Sequence, residues 1–324
     1  MKKTVLVANI LIFASLLACA HQGDTNEVTT LNELSVGLYE DSYTTSVDDF
    51  IISGFDIRLI GEYPEIESVI RGANDGYSGD LKTEHFLSIT DLDISEKGIS
   101  DIAPLAAMLN LTDLNLSYNE IDDIKPLSGL TNMKTLSLGF NNIKDISPLS
   151  GIDLEWLLLF NNQIEDISPL EGLIKLTYLY LSNNEINDLK PLARLINMRV
   201  LDLRYNNIID ISPLTGMVEI EGLTIDGNQI EDISALAGFS NITDANLSSN
   251  NISNITPLTG WKSIERLNLS NNPIVDISPL AQLKTLLQLY VVFCPIEDFS
   301  PIEHVGIVEP WERKAVLQDD NNSD

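Results

Sequence analysis

A pattern of about twenty residues recurs ten times between residues 89 and 301, and this repetition limits the available folds more than any other feature. One unit reads L-x-x-L-x-L-x-x-N-x-I-x-D-I-x-P-L-x-x-L from Leu111 to Leu130. Successive units are 22 residues apart, with a single spacing of 21. The residues at the central strand position are Leu92, Leu114, Leu136, Leu157, Leu179, Leu201, Leu223, Ala245, Leu267 and Leu289. One unit cannot bury its apolar face alone, whereas stacked units can, so the pattern predicts a solenoid.

The two halves of each unit predict different local structures. The L-x-L alternation predicts a short strand, and stacked units place such strands about 4.8 Å apart in a parallel sheet. In the second half, Ser147-Pro148 and its equivalents predict a short helical turn, with serine as its cap and proline in its first turn. The predicted fold is an α/β solenoid, a horseshoe with a parallel β-sheet on the concave face and 3₁₀ turns on the convex face.

The Asp-Ile-Ser-Pro-Leu run at Asp145–Leu149 returns at Asp166, Asp210 and Asp276. It resembles the 22-residue leucine-rich repeat of the bacterial internalins, and the resemblance covers about residues 64–301. This resemblance implies adhesion to, or recognition of, a protein. The 23 residues after Pro301 are too few for the immunoglobulin-like domain of that family, and they contain no sortase-type signal. The repeat scaffold is therefore expected to carry over, whereas the host-invasion role is not.

The first 18 residues are predicted to be a lipoprotein signal peptide. Lys2 and Lys3 precede an apolar run that is too short to span a bilayer. The run ends in Leu-Leu-Ala before Cys19, which resembles a bacterial lipoprotein signal and implies lipidation of Cys19. An ordinary secretory signal with a chance cysteine is the alternative. We expect a lipid-anchored protein of the cell envelope, at the outer membrane or cell surface, that touches the membrane only through its N-terminal lipid.

The rest of the chain is expected to form four regions. Residues 19–49 are polar and threonine-rich, which predicts a tether and a poorly ordered lead-in. Residues 50–88 are predicted to form an N-terminal cap region, with a helix that begins at Pro64. Ten repeats occupy residues 89–301. Residues 302–324 are expected to be a C-terminal cap and tail, in which Trp311 covers the last coil.

The composition argues against several classes of function. The chain has 48 acidic and 19 basic side chains and a net charge of -29, so we expect no nucleic-acid partner. None of its three histidines lies in a zinc-spaced or nucleophile–base arrangement, and no phosphate-binding glycine loop is present. We therefore expect no enzyme, no metal and no cofactor. Paired acids acting on a glycan are the remaining catalytic alternative, and no pair stands out.

Two polar columns follow from the repeat itself. One asparagine per unit, from Asn119 to Asn272, is predicted to bond backbone groups freed by the turn. One aspartate per unit, from Asp101 to Asp298 with a single break, is predicted to cap the turns, because one carboxylate per coil is too sparse for calcium. Cys294 takes the asparagine position of the tenth unit, which predicts a buried thiol and not a nucleophile.

Aromatic residues gather at the positions that face solvent on the predicted concave sheet. Seven of nine concave aromatics fall in five adjacent units, whereas β-propensity alone would scatter them. A contiguous exposed apolar patch is typical of a partner site. The candidate partner-binding residues are Tyr118, Phe140, Trp156, Leu158, Phe160, Tyr178, Tyr180, Arg204 and Tyr205. We expect a single cluster formed by Trp156, Phe160, Tyr178 and Tyr180, and a charged rim of Arg199 and Arg204 with Glu155 and Asp202.

These features predict a membrane-anchored extracytoplasmic protein that binds a protein ligand through its concave face, in adhesion or recognition. The ligand is expected to be a host-cell or envelope protein, and a glycan is the less favoured ligand. The alternative is an envelope scaffold or inhibitor that binds a protein of its own cell. Both functions use the same face, so the sequence does not separate them.

Overall fold

The structure of the protein is a computed structural model that describes residues 51–309. The predicted signal peptide, the lipidation site Cys19, the whole lead-in and Trp311 lie outside the described residues. Within residues 51–309, no helix is both long enough and apolar enough to cross a membrane.

The strands of the repeats form one continuous sheet. A two-stranded antiparallel ribbon, β1 (Ile51–Ile52) and β2 (Phe55–Asp56), precedes it. The eleven strands of the sheet, in spatial as in chain order, are β3 (Asp91–Asp93), β4 (Asp113–Asn115), β5 (Thr135–Ser137), β6 (Trp156–Leu158), β7 (Tyr178–Tyr180), β8 (Val200–Asp202), β9 (Gly222–Thr224), β10 (Asp244–Asn246), β11 (Arg266–Asn268), β12 (Gln288–Tyr290) and β13 (Ile307–Glu309). Every neighbouring pair in this sheet is parallel.

The register of the sheet confirms the alignment of the repeats. Leu92 lies beside Leu114, and the same central position continues from strand to strand as far as Leu289. These central residues are buried, as the inward side of an L-x-L strand requires. The structure adds an eleventh strand, because Val308 continues the column beyond Leu289. The repeat pattern missed β13 because its sequence, Ile-Val-Glu, lacks the paired leucines.

Short 3₁₀ helices close the coils on the side opposite the strands. They span Ala103–Ala107, Lys125–Leu127, Ser147–Leu149, Ser168–Leu170, Lys190–Leu192, Ser212–Gly216, Ser234–Gly238, Thr256–Gly260, Ser278–Gln282 and Ser300–Ile302. The prediction that serine caps these turns is wrong. Ser147 is the first residue of its 3₁₀ helix, and the cap position before it is occupied by Ile146, whose side chain makes no capping hydrogen bond. Instead, Ser147 N–H donates to Asp145 Oδ1 at 2.8 Å, and this bond holds the pKa of Asp145 below its usual value. The aspartate column therefore caps the turns, as predicted.

Residues 51–87 pack against the first coils. A 3₁₀ helix at Ile57–Glu62 leads into α1 (Pro64–Ala73), and α2 (Thr83–Leu87) follows. Proline at the first position of α1 needs no N–H partner, and the face that carries Ile66 and Ile70 is buried. These two residues and Phe86 belong to the same apolar cluster as the leucines of the repeats. The hydrophobic core is therefore continuous from this segment through the solenoid.

The asparagine column forms a buried ladder between coils. Asn184 Nδ2 donates to the carbonyl oxygens of Leu159 and Leu181, each at 3.0 Å, and Asn184 Oδ1 accepts from Ile164 N–H at 3.0 Å. Equivalent bonds recur in the other units that carry this asparagine. Cys294 Sγ takes the same place, 3.2 Å from Leu269 O, and burial raises the pKa of its thiol. The predicted role of the asparagines is confirmed, whereas Cys294 occupies their position as a half-buried thiol and not a fully buried one.

Candidate partner-binding site

The concave surface is built from side chains in fixed columns along the solenoid. Each strand contributes one outward residue before and one after its buried central residue, and we call the first of these the leading column. Its members in β3 to β12 are Asp91, Asp113, Thr135, Trp156, Tyr178, Val200, Gly222, Asp244, Arg266 and Gln288. The turn after each strand contributes a second column, the turn column, in which φ is positive. Its members are Glu96, Tyr118, Phe140, Asn161, Asn183, Tyr205, Gly227, Ser249, Asn271 and Phe293.

One group of aromatic side chains lies beside the turn. Tyr118 and Phe140 are neighbours in the turn column, and their rings stack with centroids 4.3 Å apart and planes at 15°. Phe160 meets Phe140 edge to face, at a centroid distance of 5.5 Å. The ring of Phe160 occupies the space in which Gly139 would carry a Cβ, so a larger residue there would displace the ring. We call Tyr118, Phe140 and Phe160 the turn cluster.

A second aromatic group lies in the leading column. Trp156 in β6 and Tyr178 in β7 are in register, and their rings stack at a centroid distance of 3.7 Å. We call these two residues the strand pair. Trp156 is 41% exposed in spite of the stack, so its outer face is open to a partner. Stacked aromatic rings of this kind present a rigid apolar surface at low entropic cost.

The expectation that Trp156, Phe160, Tyr178 and Tyr180 form one cluster is wrong. Phe160 lies beyond the end of β6, which contains Trp156, and the ring of Trp156 stacks on Tyr178. Phe160 contacts Phe140 instead. Tyr180 is half-buried, and burial, followed by the charge of Asp202, raises its pKa. The candidate residues therefore form two separate aromatic groups.

The remaining candidates lie between or beside these groups. Leu158 is half-buried and is in register with Tyr180. Tyr205 is 55% exposed, and its ring lies over Gly227 in the next coil, where a Cβ would clash with it. Arg204 is exposed and pairs with Asp202 at 2.7 Å. The structure thus places all nine candidates along one surface but does not bring them into a single contact group.

The backbone conformation of the turn column is energetically unfavourable for aromatic residues. Tyr118, Phe140 and Tyr205 have φ of 58°, 54° and 53°, in the left-handed region. This region costs an ordinary L-residue about 1–2 kcal/mol, whereas asparagine and glycine tolerate it. Asparagine does occupy the same position in other units, as at Asn161 and Asn183. The aromatic residues are therefore present in spite of the local backbone preference, a pattern typical of functional sites.

Charged residues near the aromatic groups form two ion pairs. Arg204 pairs with Asp202 of the expected rim, whereas Arg199 pairs with Glu221 on the next coil. Asp226, which follows β9, is buried, and burial raises the pKa of its carboxyl. Its Oδ1 accepts from Asn246 Nδ2 at 2.9 Å. A half-buried polar patch thus begins where the aromatic surface ends.

One exposed aromatic residue outside the predicted candidates has the same turn-column position as Tyr118. Phe293 is 66% exposed and has a φ of 60° in the turn column of the tenth unit. The repeat alignment could have identified it, because Phe293 follows Leu289 by four residues, as Tyr118 follows Leu114. It lies far along the solenoid from the two aromatic groups. Within residues 51–309, no three His, Cys, Asp or Glu side chains are grouped so that they could hold a metal ion.

A parallel-sheet solenoid with 3₁₀ turns, an asparagine ladder and a repeated leucine register defines a leucine-rich repeat protein. The family model described as Leucine Rich repeats (2 copies) matches residues 109–151, 152–194, 196–238, 240–282 and 262–304. The chain belongs to this family. Its repeats are of the internalin type.

Solved structures agree with this assignment. An internalin (inlF) from Listeria monocytogenes is 25% identical, with a TM-score of 0.58 over 76% of this chain and 94% of that chain. Internalin C2 from the same organism is 28% identical, with a TM-score of 0.55 over 71% and 93%. The ectodomain of the plant receptor kinase GASSHO1/SCHENGEN3 from Arabidopsis thaliana, at 21% identity, shares the fold alone, with a TM-score of 0.56 over 71% and 33%. A search of curated protein sequences finds no match.

Proposed function

We propose that this protein binds a protein partner through the aromatic residues of its concave face, in adhesion or recognition, and that it has a binding role and not a catalytic one. The observation that carries the proposal is the exposure of stacked rings on a rigid sheet. Tyr118, Phe140 and Trp156 are 41–50% exposed, and two of them also oppose the backbone preference of their position. Exposed aromatic groups on a rigid scaffold are typical anchors of protein interfaces.

Two comparisons support this proposal. Two internalins of Listeria monocytogenes, 25% and 28% identical to this chain, match it over most of their length. The plant receptor ectodomain was solved in complex with CASPARIAN STRIP INTEGRITY FACTOR 2, so a scaffold of this fold presents a ligand-binding surface in that protein. Leucine-rich repeats are typically interaction scaffolds, which favours binding over catalysis.

The test of the proposal compares two aromatic residues of the site with an aromatic control residue outside it. The protein is first used to capture partners from host-cell and bacterial extracts in parallel, and the affinity of a purified captured protein is then measured. Tyr118→Ala and Trp156→Ala should each weaken binding by about 2 kcal/mol, or roughly thirtyfold. Phe293→Ala is the control, because Phe293 shares the column and the backbone conformation of Tyr118 and is more exposed than Tyr118 or Trp156. Equal losses in all three variants would refute the proposed site.

We also propose that the protein is held outside the cytoplasm by a lipid on Cys19. The support is the Leu-Leu-Ala-Cys sequence that ends the apolar N-terminal segment. Metabolic labelling with a fatty acid should mark the protein and should not mark a Cys19→Ser variant. A labelled Cys19→Ser variant would contradict the anchor.

Protease treatment of intact cells, together with the capture experiment, separates the two classes of partner. If the protein faces the outside and recognises a host protein, protease treatment of intact cells should release it, and the captured partner should come from the host extract. If it is a scaffold or inhibitor within the envelope, protease should spare it and the partner should come from the bacterial extract. We favour the first outcome because of the internalin-type repeats.

A further inference from the structure

Charges on neighbouring coils are paired in the middle and C-terminal parts of the solenoid. Arg266 and Asp244 are register neighbours in the leading column, and they form an ion pair. Lys175 pairs with Asp153 of the preceding coil at 2.5 Å. In each case, a cation on one coil neutralises a carboxylate on the adjacent coil. The solenoid therefore has a regular way to compensate charge across its strands.

The first two coils break this rule. Asp91 in β3 lies in register with Asp113 in β4, so two like charges are neighbours in the leading column. Asp93 and Glu96 add two exposed carboxylates to the same coil as Asp91. In the part of the chain that the structure describes, no ion pair within 4.0 Å involves any of these four residues. We call Asp91, Asp93, Glu96 and Asp113 the β3–β4 carboxylates.

The aspartates among these carboxylates accept hydrogen bonds from neutral groups, mostly of their own coil, and for Asp93 also from Asn115 Nδ2 of the next coil at 3.1 Å. Thr90 Oγ1 donates to Asp91 at 2.7 Å, and Thr112 Oγ1 donates to Asp113 at 2.8 Å. Asp93 also accepts from Ser95, and the bonds from Ser95 and Asn115, with the charge of Lys97, lower the pKa of its carboxyl. Like charges at neighbouring strand positions destabilise a sheet. This part of the concave face thus carries an excess of negative charge that no ion pair of the described residues neutralises, at a cost to stability.

The β3–β4 carboxylates border both aromatic groups. Glu96 precedes Tyr118 in the turn column, one coil away. Asp113 lies two strands from Trp156 in the leading column, which is about 10 Å. Carboxylates beside exposed aromatic rings suit arginine and lysine side chains, because the charge meets the carboxylate while the aliphatic stem or guanidinium lies on the ring.

We propose that the concave face takes a cationic segment of its protein partner, whose arginine or lysine side chains neutralise the β3–β4 carboxylates while apolar side chains rest on the turn cluster and the strand pair. This inference rests on the proposed function and adds the charge of the partner to it. The excess of acidic residues over the whole chain, with a net charge of -29, speeds the encounter with such a segment.

The test uses two synthetic fluorescent peptides and the full-length protein. One peptide alternates arginine with leucine, and the other alternates glutamate with leucine. Fluorescence anisotropy should show binding of the arginine peptide only, with an affinity that falls as salt is added. Asp91→Asn combined with Asp113→Asn should weaken that binding roughly tenfold. The same double variant should melt at an equal or higher temperature, because it removes a like-charge pair and no ion pair.

The control removes the same number of charges elsewhere. Glu165→Gln combined with Glu231→Gln changes two exposed residues in the turns that follow the strands. This variant should bind the arginine peptide as the parent protein does. An equal loss in both double variants would mean that only net charge matters, and it would overturn the proposed location. Binding of both peptides alike, or of neither, would overturn the cationic class of partner.

The two proposals fail in different ways. If a captured protein loses affinity on Trp156→Ala but not on Asp91→Asn with Asp113→Asn, the concave face binds protein and the cationic segment is wrong. If the captured protein is insensitive to Trp156→Ala, the proposed function itself fails. The arginine peptide should also lose affinity on Trp156→Ala, because its leucines require the strand pair.

Discussion

Replacement of a central ladder asparagine should destabilise the protein by an amount that follows from its bonds. In Asn184→Ala, Leu159 O and Leu181 O each keep one amide donor, from Asn162 and Asn206 respectively. Ile164 N–H loses the Oδ1 that it donates to, inside the core. An orphaned buried N–H costs about 1–3 kcal/mol, and each lost bond adds about 1 kcal/mol. We expect a loss of about 3 kcal/mol in the free energy of unfolding.

Urea unfolding followed by far-UV circular dichroism measures this loss, with Asn187→Ala as the control. Asn187 is exposed in the same coil, so its replacement should change stability by less than about 0.5 kcal/mol. A loss below about 1 kcal/mol for Asn184→Ala, or one equal to the control, would refute the account of the ladder.

A double variant sharpens the test. Asn184 and Asn206 share Leu181 O as an acceptor, so changing both to alanine removes both of its amide donors. The loss for this pair should exceed the sum of the single losses. Asn184 and Asn250 share no acceptor, and their losses should add within about 0.5 kcal/mol.

Three further outcomes are expected. Leu201→Asp buries an unpaired charge at a fully buried central strand position, so it should lower the urea midpoint and the helix and sheet signal together, and an unchanged midpoint would contradict the register. Gly139→Ala should displace the ring of Phe160, which would weaken partner binding measured by titration while the melting temperature changes little. Burial raises the pKa of Asp226, so its carboxylate disfavours the folded state as pH rises through that pKa. Asp226→Asn should therefore unfold at a higher urea concentration than the parent at neutral pH, and this difference should shrink toward pH 3.8, the ordinary value for the carboxyl. A constant difference across pH would rule out titration of Asp226 as its cause.

The fold could be predicted in detail because the spacing of the repeats determines which residues are neighbours on adjacent strands. Once the leucines are aligned on Leu114, the strand neighbours follow from the 22-residue spacing, and the structure confirms them through Leu289. The roles of Asn184 and Asp145 could also be predicted, because a polar residue that recurs once in every coil is expected to make the same structural hydrogen bond in each of them. β13 could not be found this way, since Ile307–Glu309 follows β12 with a different pattern.

The site could be predicted only as a set of outward positions. The sequence identifies Tyr118 and Phe140 as outward residues, but their positive φ depends on how the turn closes. Whether Phe160 meets Trp156 or Phe140 depends on side-chain directions and on the room that Gly139 leaves. Arg199 pairs with Glu221 at the equivalent position on the next coil, whereas Glu155 lies two coils away on the other side.

The most direct test of the central claim is hydroxyl-radical footprinting of the protein with and without its captured partner. Tyr118 and Trp156 should be strongly oxidised in the free protein and protected in the complex, because the partner covers their exposed rings. Phe293, which is more exposed than either, should be oxidised equally in both states. Protection of Phe293 with no protection of Tyr118 and Trp156 would contradict the claim that the partner binds the aromatic residues of the concave face.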